Sequence, residues 1–106
     1  MASKTIVISL ASLWLISAAA TAAAETVKVD VNKMLYSPET ISAHVGDRVE
    51  WNNSDIVGHN ITTKNGLVSI DLPVKGKVSI GMAKEGPFEY YCKFHPNMKG
   101  VIEVTK

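Results

Sequence analysis

From Val27 onward, apolar and polar residues alternate in short runs, and no stretch keeps the 3.6-residue spacing of a helix. Val27-Lys28-Val29-Asp30-Val31 places every second side chain on an apolar face, the signature of a half-buried strand. Arg48-Val49-Glu50-Trp51, Lys77-Val78-Ser79-Ile80 and Phe88-Glu89-Tyr90 alternate in the same way. Thr40 to Ala43, Ile61 to Thr63 and Val101 to Val104 are short and rich in β-branched residues. Between these runs lie Ser37-Pro38-Glu39, Val45-Gly46-Asp47, Asn65-Gly66 and Gly86-Pro87, all of which favour turns. The pattern predicts one all-β domain, a Greek-key β-sandwich of about seven strands.

The first 24 residues follow a different pattern. A short positive start, Met1 to Lys4, precedes an apolar run from Thr5 to Ile16 and an alanine-rich stretch from Ser17 to Ala24. That order predicts a secretory signal cut after Ala22-Ala23-Ala24, which leaves residues 25–106 as the domain. Thr5 to Ala24 is also long enough to cross a bilayer, but alanine suits a peptidase site better than a membrane core. Export implies a periplasmic protein with no membrane attachment after cleavage.

The whole chain carries a formal charge of +1, and loss of Lys4 with the signal balances basic against acidic residues. Arg48 is the only arginine, and no basic stripe is present. Nucleic acid is therefore excluded as a partner.

The chemistry concentrates in Cys92-Lys93-Phe94-His95-Pro96-Asn97-Met98. Export permits disulfides, yet a lone cysteine cannot form one within its own chain. A thiolate, an imidazole and a thioether so close together form a soft donor set suited to one copper ion. A second imidazole would complete a blue-copper set. Spacing alone leaves His59 and His44 as candidates, though His44 sits in an alternating stretch where a surface histidine is expected. Met34 and Met82 compete with Met98 for the thioether position, and packing roles suit both.

One thiolate and two neutral imidazoles give the centre a charge of zero with Cu(I) and +1 with Cu(II), small enough for an apolar pocket. Four protein donors leave no open coordination position, which favours an electron carrier over an enzyme. A second copper with its own histidines is ruled out by a total of three. The alternative to electron transfer is a periplasmic copper carrier or buffer, for which so few methionines are a poor match.

Cys92-x-x-His95-x-x-Met98, His59-Asn60, Val45-Gly46-Asp47-x-Val49-x-Trp51 and Gly86-x-Phe88-x-Tyr90-x-Cys92 together resemble the type 1 copper proteins, the cupredoxins. The short step from His95 to Met98 is closest to the amicyanins within the wider plastocyanin-like family. The resemblance implies that His59, Cys92, His95 and Met98 ligate copper, and that the Asn60 side chain ties the two ligand loops together. It implies a half-exposed His95 ringed by an apolar docking patch of Met34, Val57, Gly58, Phe94 and Pro96. It implies a monomer that meets redox proteins transiently, a donor dehydrogenase and a cytochrome c-like acceptor. The loop departs from the amicyanins at Phe94, where they have proline, and at Asn97, where they have an aromatic residue.

Overall fold

The computed structural model describes residues 23–106, so all but the last two residues of the expected signal lie outside the described residues. Nine strands form two sheets, and no helix occurs among the described residues. In chain order they are β1 (Thr26–Asn32), β2 (Leu35–Ser37), β3 (Thr40–His44), β4 (Arg48–Asn53) and β5 (His59–Thr63). The remainder are β6 (Ser69–Leu72), β7 (Lys77–Gly81), β8 (Gly86–Cys92) and β9 (His95–Thr105).

All seven expected strands are present, and β2 and β6 are additional. Three residues are too few for β2 to show a period in sequence. Its pairing instead comes from the Lys33-Met34 turn, which brings Leu35 opposite Asn32. β6 is held by its neighbour, with Leu72 opposite His59 and Ser69 opposite Thr62.

The first sheet runs β2-β1-β4-β7 and the second β3-β9-β8-β5-β6. The chain changes sheet between β2 and β3, β3 and β4, β4 and β5, β6 and β7, and β7 and β8. Those crossings let β1 pair parallel to β4 and β3 parallel to β9. Alternation then sorts the side chains. Val29, Val31, Val49 and Trp51 point inward from the first sheet, and Ile61, Tyr90, Ile102 and Val104 from the second. Each such side chain, once fully buried, stabilises the fold by about 1.5–3 kcal/mol.

Aromatic rings bridge the two layers. Tyr90 meets Trp51 edge to face at 5.4 Å between centroids and Tyr36 at 4.7 Å. Tyr90 also lies opposite Gly100 in the β8–β9 ladder, with its ring in the space that a β-carbon on Gly100 would fill. The glycine is required by the ring across from it. The Gly100→Ala substitution is expected to lower stability by about 1–3 kcal/mol through overpacking, read as a shift of the denaturant midpoint.

Candidate metal centre

One end of the sandwich gathers the end of β4, the start of β5, the end of β8, the start of β9 and the β1–β2 turn. His59 opens β5, Cys92 closes β8 and His95 opens β9. Lys93 and Phe94 make the two-residue link that sets Cys92 opposite His95. The ladder then breaks. Tyr91 pairs with Lys99, so Pro96, Asn97 and Met98 have no partners on β8. Such a bulge re-aims side chains beside a site. Here it starts the inward row of β9 at Met98, which is 3% exposed.

The donors converge. Cys92 Sγ lies 3.9 Å from His59 Nδ1 and 3.8 Å from His95 Nδ1. Within this trio, every donor atom is less than 4.8 Å from the others. Donors that share one ion at about 2.0–2.3 Å lie about 3–4 Å apart, so this spacing fits a single metal. Cys92 and His59 are buried and His95 is half-buried. The imidazole rings stand 5.2 Å apart at 64°. A thiol with two imidazoles, and a buried thioether beginning the next inward row, is a donor set for copper rather than for hard cations.

The tautomer of His59 is set from behind. Its Nε2 donates to Asp55 Oδ2 at 2.8 Å, which leaves the Nδ1 lone pair facing Cys92. Asp55 also accepts from Met34 N at 3.0 Å and Ile56 N at 2.9 Å. These bonds, that from His59 foremost, hold its carboxyl down at about 2. Buried Asn53 organises the loop itself. Its Nδ2 donates to the carbonyls of Val57, Leu72 and Pro73, and its Oδ1 accepts from Asp55 N at 2.9 Å.

Neither Asp55 nor Asn53 was singled out in the sequence. The available signal was a carboxylate four residues before His59, since ligating histidines usually donate their second nitrogen to such a group. Asn60 is fully buried next to His59, but its side chain stays within its own hairpin. It donates to Asp71 Oδ1 at 3.1 Å and accepts from the Thr62 hydroxyl, while its backbone oxygen accepts from the Tyr36 hydroxyl. Among the described residues the Asn60 side chain makes no hydrogen bond to the Cys92–Met98 loop.

Two of the three competitors lie at the far end, and the third, Met34, is on the surface beside the site. His44 stands at the opposite end of the sandwich, its side chain 70% exposed and 3.6 Å from Asp47. Met82 is buried at that same end, where its backbone bonds to Gly46 and Asp47. Met34 is 40% exposed on the β1–β2 turn.

Residues 5–104 match the model of the cupredoxin-like domain. The chain belongs to the cupredoxin family. The amicyanin of Paracoccus versutus is 31% identical over 94 residues, which span 82% of this chain and 70% of that protein. Among solved structures, a purple cupredoxin from Nitrosopumilus maritimus superposes with a TM-score of 0.69 at 30% identity, covering 74% of this chain and 99% of that one. The reduced state of an amicyanin mutant gives 0.68 at 28% identity, covering 74% of this chain and 81% of that one. The cofactor of this cupredoxin is one copper ion of type 1.

Removing the Asp55 carboxylate as Asp55→Ala is expected to weaken metal binding about 10–100-fold, as measured by competition with a chelator. The depressed carboxyl of Asp55 also stabilises the metal-free fold at neutral pH. That contribution is present above its ordinary value of 3.8 and is lost as pH falls through about 2. Acid unfolding of Asp55→Asn should therefore show a shallower fall of stability over this window than the parent protein.

Proposed function

We propose that residues 1–24 are removed as a secretory signal and that residues 25–106 carry single electrons between redox proteins in the periplasm. His59, Cys92, His95 and Met98 are the residues that hold the copper. The ion supplies one-electron chemistry, cycling between Cu(I) and Cu(II). The observation that carries this reading is the graded burial of the cluster, with Cys92 and His59 at 0% and 1% exposure beneath a half-buried His95. A thiolate and an imidazole so enclosed exclude substrate and solvent, and His95 alone of the three approaches the surface.

Each residue has a distinct task. The Cys92 thiolate supplies the negative charge that offsets the cation in an apolar pocket. His59 is fixed in tautomer and direction by Asp55, so the buried side of the site stays rigid. Met98 fills the inward position opened by the β9 bulge. His95 belongs to the tight link with Lys93 and Phe94 and offers the route for electrons to a docked partner.

The docking surface of Met34, Val57, Gly58, Phe94 and Pro96 is exposed throughout, with Phe94 at 54%. Ile56 beside Val57 and Leu35 beside Met34 are also exposed apolar residues, at 89% and 61%. Lys93 Nζ lies 5.5 Å over the Phe94 ring and adds a positive rim. A mostly apolar surface with few fixed charges suits short-lived encounters, and the proposed partners are a donor dehydrogenase and a cytochrome c-like acceptor. Among the described residues no helix is long and apolar enough to cross a membrane.

The copper-loaded protein is expected to be intensely blue or purple when oxidised and to bleach reversibly on reduction. The Cys92→Ser variant should lose that band, and a variant that kept it would remove Cys92 from the site. Electron exchange with a cytochrome c, followed by stopped-flow absorbance, tests the carrier role. Rapid loss of Cu(I) to a weak chelator, without such exchange, would favour a copper buffer instead.

A further inference from the structure

At the end of the sandwich away from the metal centre, the Asp47 carboxylate is enclosed, and among the described residues it has no fixed cation beside it. Its side chain is 7% exposed. Oδ1 accepts from Glu25 N at 2.9 Å and Oδ2 from His44 N at 2.8 Å. The His44 imidazole is 3.6 Å away, but it is largely solvated and charged only when protonated. Arg48, next in the chain, is turned to β7, where its Nε donates to Ser79 Oγ at 2.9 Å and its Nη2 to Ser79 O at 3.2 Å. A buried carboxylate with backbone donors alone lacks the opposite charge that best offsets its desolvation.

The donor on Oδ1 lies one residue before β1. Ala23, Ala24 and Glu25 are exposed and outside any strand, whereas the Glu25 carbonyl accepts from Arg48 N at 2.9 Å and Thr26 begins the parallel ladder with β4. Cleavage between Ala24 and Glu25 would turn this neutral amide into an ammonium without moving it. We infer that the processed amino terminus of Glu25 docks as a cation on Asp47 and makes signal removal a stabilising step for the domain. This inference rests on the cleavage reading above and is independent of the copper.

Cleavage balances as an ordinary peptide hydrolysis. The Ala24–Glu25 amide bond breaks, the water oxygen joins the Ala24 carbonyl carbon to make a carboxylate, and both water protons end on the Glu25 nitrogen, which is an ammonium near neutral pH. One N–H stays on Asp47 Oδ1. The carboxylate already makes that bond charge-assisted, and the ammonium adds a direct attraction between opposite charges at 2.9 Å. The anchor sits at the origin of the β1–β4 ladder, whose far end pairs Val31 with Asn53, the residue that shapes the His59 loop.

The test uses copper-loaded protein in three forms: beginning at Glu25, beginning at Glu25 with an acetylated nitrogen, and beginning at Ala24. Thermal midpoints are measured with and without Asp47→Asn. The free Glu25 form is expected to melt several degrees above both others, because each replaces the ammonium at this position by an amide. Asp47→Asn should at least halve that difference, and so should raised salt in the parent protein. Equal midpoints for the three forms would overturn the proposal, as would a difference that Asp47→Asn and salt leave unchanged. If Asp47→Asn does not fold, the salt series on the three parent forms decides. The intact mass of the exported protein gives the cut directly, and a start other than Glu25 would also overturn the proposal. The visible spectrum should be the same in all three forms, so failure here is separable from failure of the copper reading.

Discussion

Everything at the metal centre depends on the bond from His59 Nε2 to Asp55. A buried imidazole has two nitrogens, and the one that carries the proton cannot ligate. Asp55 accepts that proton's bond at one edge of the ring and thereby turns the other edge, unprotonated, toward Cys92. The carboxylate is itself held by two backbone amides and by the fold of its loop around Asn53. Asn53 is a buried side chain at the inner end of β4, opposite Val31. The chain of dependence thus runs from the parallel β1–β4 ladder, through an amide and a carboxylate, to one lone pair.

The second constraint is the bulge in β9. A regular two-residue hairpin after Cys92 would continue the ladder and keep every following residue in register. Releasing Pro96, Asn97 and Met98 from that ladder sets Met98 at the head of the inward row that continues through Gly100, Ile102 and Val104. The same release brings Lys99 opposite Tyr91 and Gly100 opposite Tyr90, so the packing of the aromatic core and the geometry of the ligand loop are set by a single register. This is how a short step from His95 to Met98 is compatible with a sandwich whose core remains closely packed.

The two ends of the molecule have contrasting electrostatics. At the metal centre the fully buried acidic group is a thiol between two imidazoles, and the Asp55 carboxylate, 9% exposed, lies behind His59. At the far end Asp47 caps the turn into β4, and backbone amides hold its carboxyl below the ordinary range. Each buried acidic group thus lies among groups able to offset its charge, and β4 leads from Asp47 to the residue that orders the ligand loop.

The strand pattern was legible in the sequence because half-buried strands alternate with period two, as Val27 to Val31 and Arg48 to Trp51 do. Cys92, His95 and Met98 were legible because one short loop carries them, and few structural roles call for that combination. β2 and β6 were not, since both are held by pairing partners rather than by a pattern of their own. Asp55, Asn53 and the enclosure of Asp47 were hidden for a related reason. Their roles depend on which backbone groups the sheets bring to them, and those groups are distant in the chain. The sequence by itself determined the class of fold and the chemical character of the donors, through periodicity and residue type. Spacing alone left His59 and His44 open until the motif resemblance pointed to His59. Only the tertiary structure decided which nitrogen of His59 is left free and what holds it, because burial and hydrogen bonding across strands select the geometry.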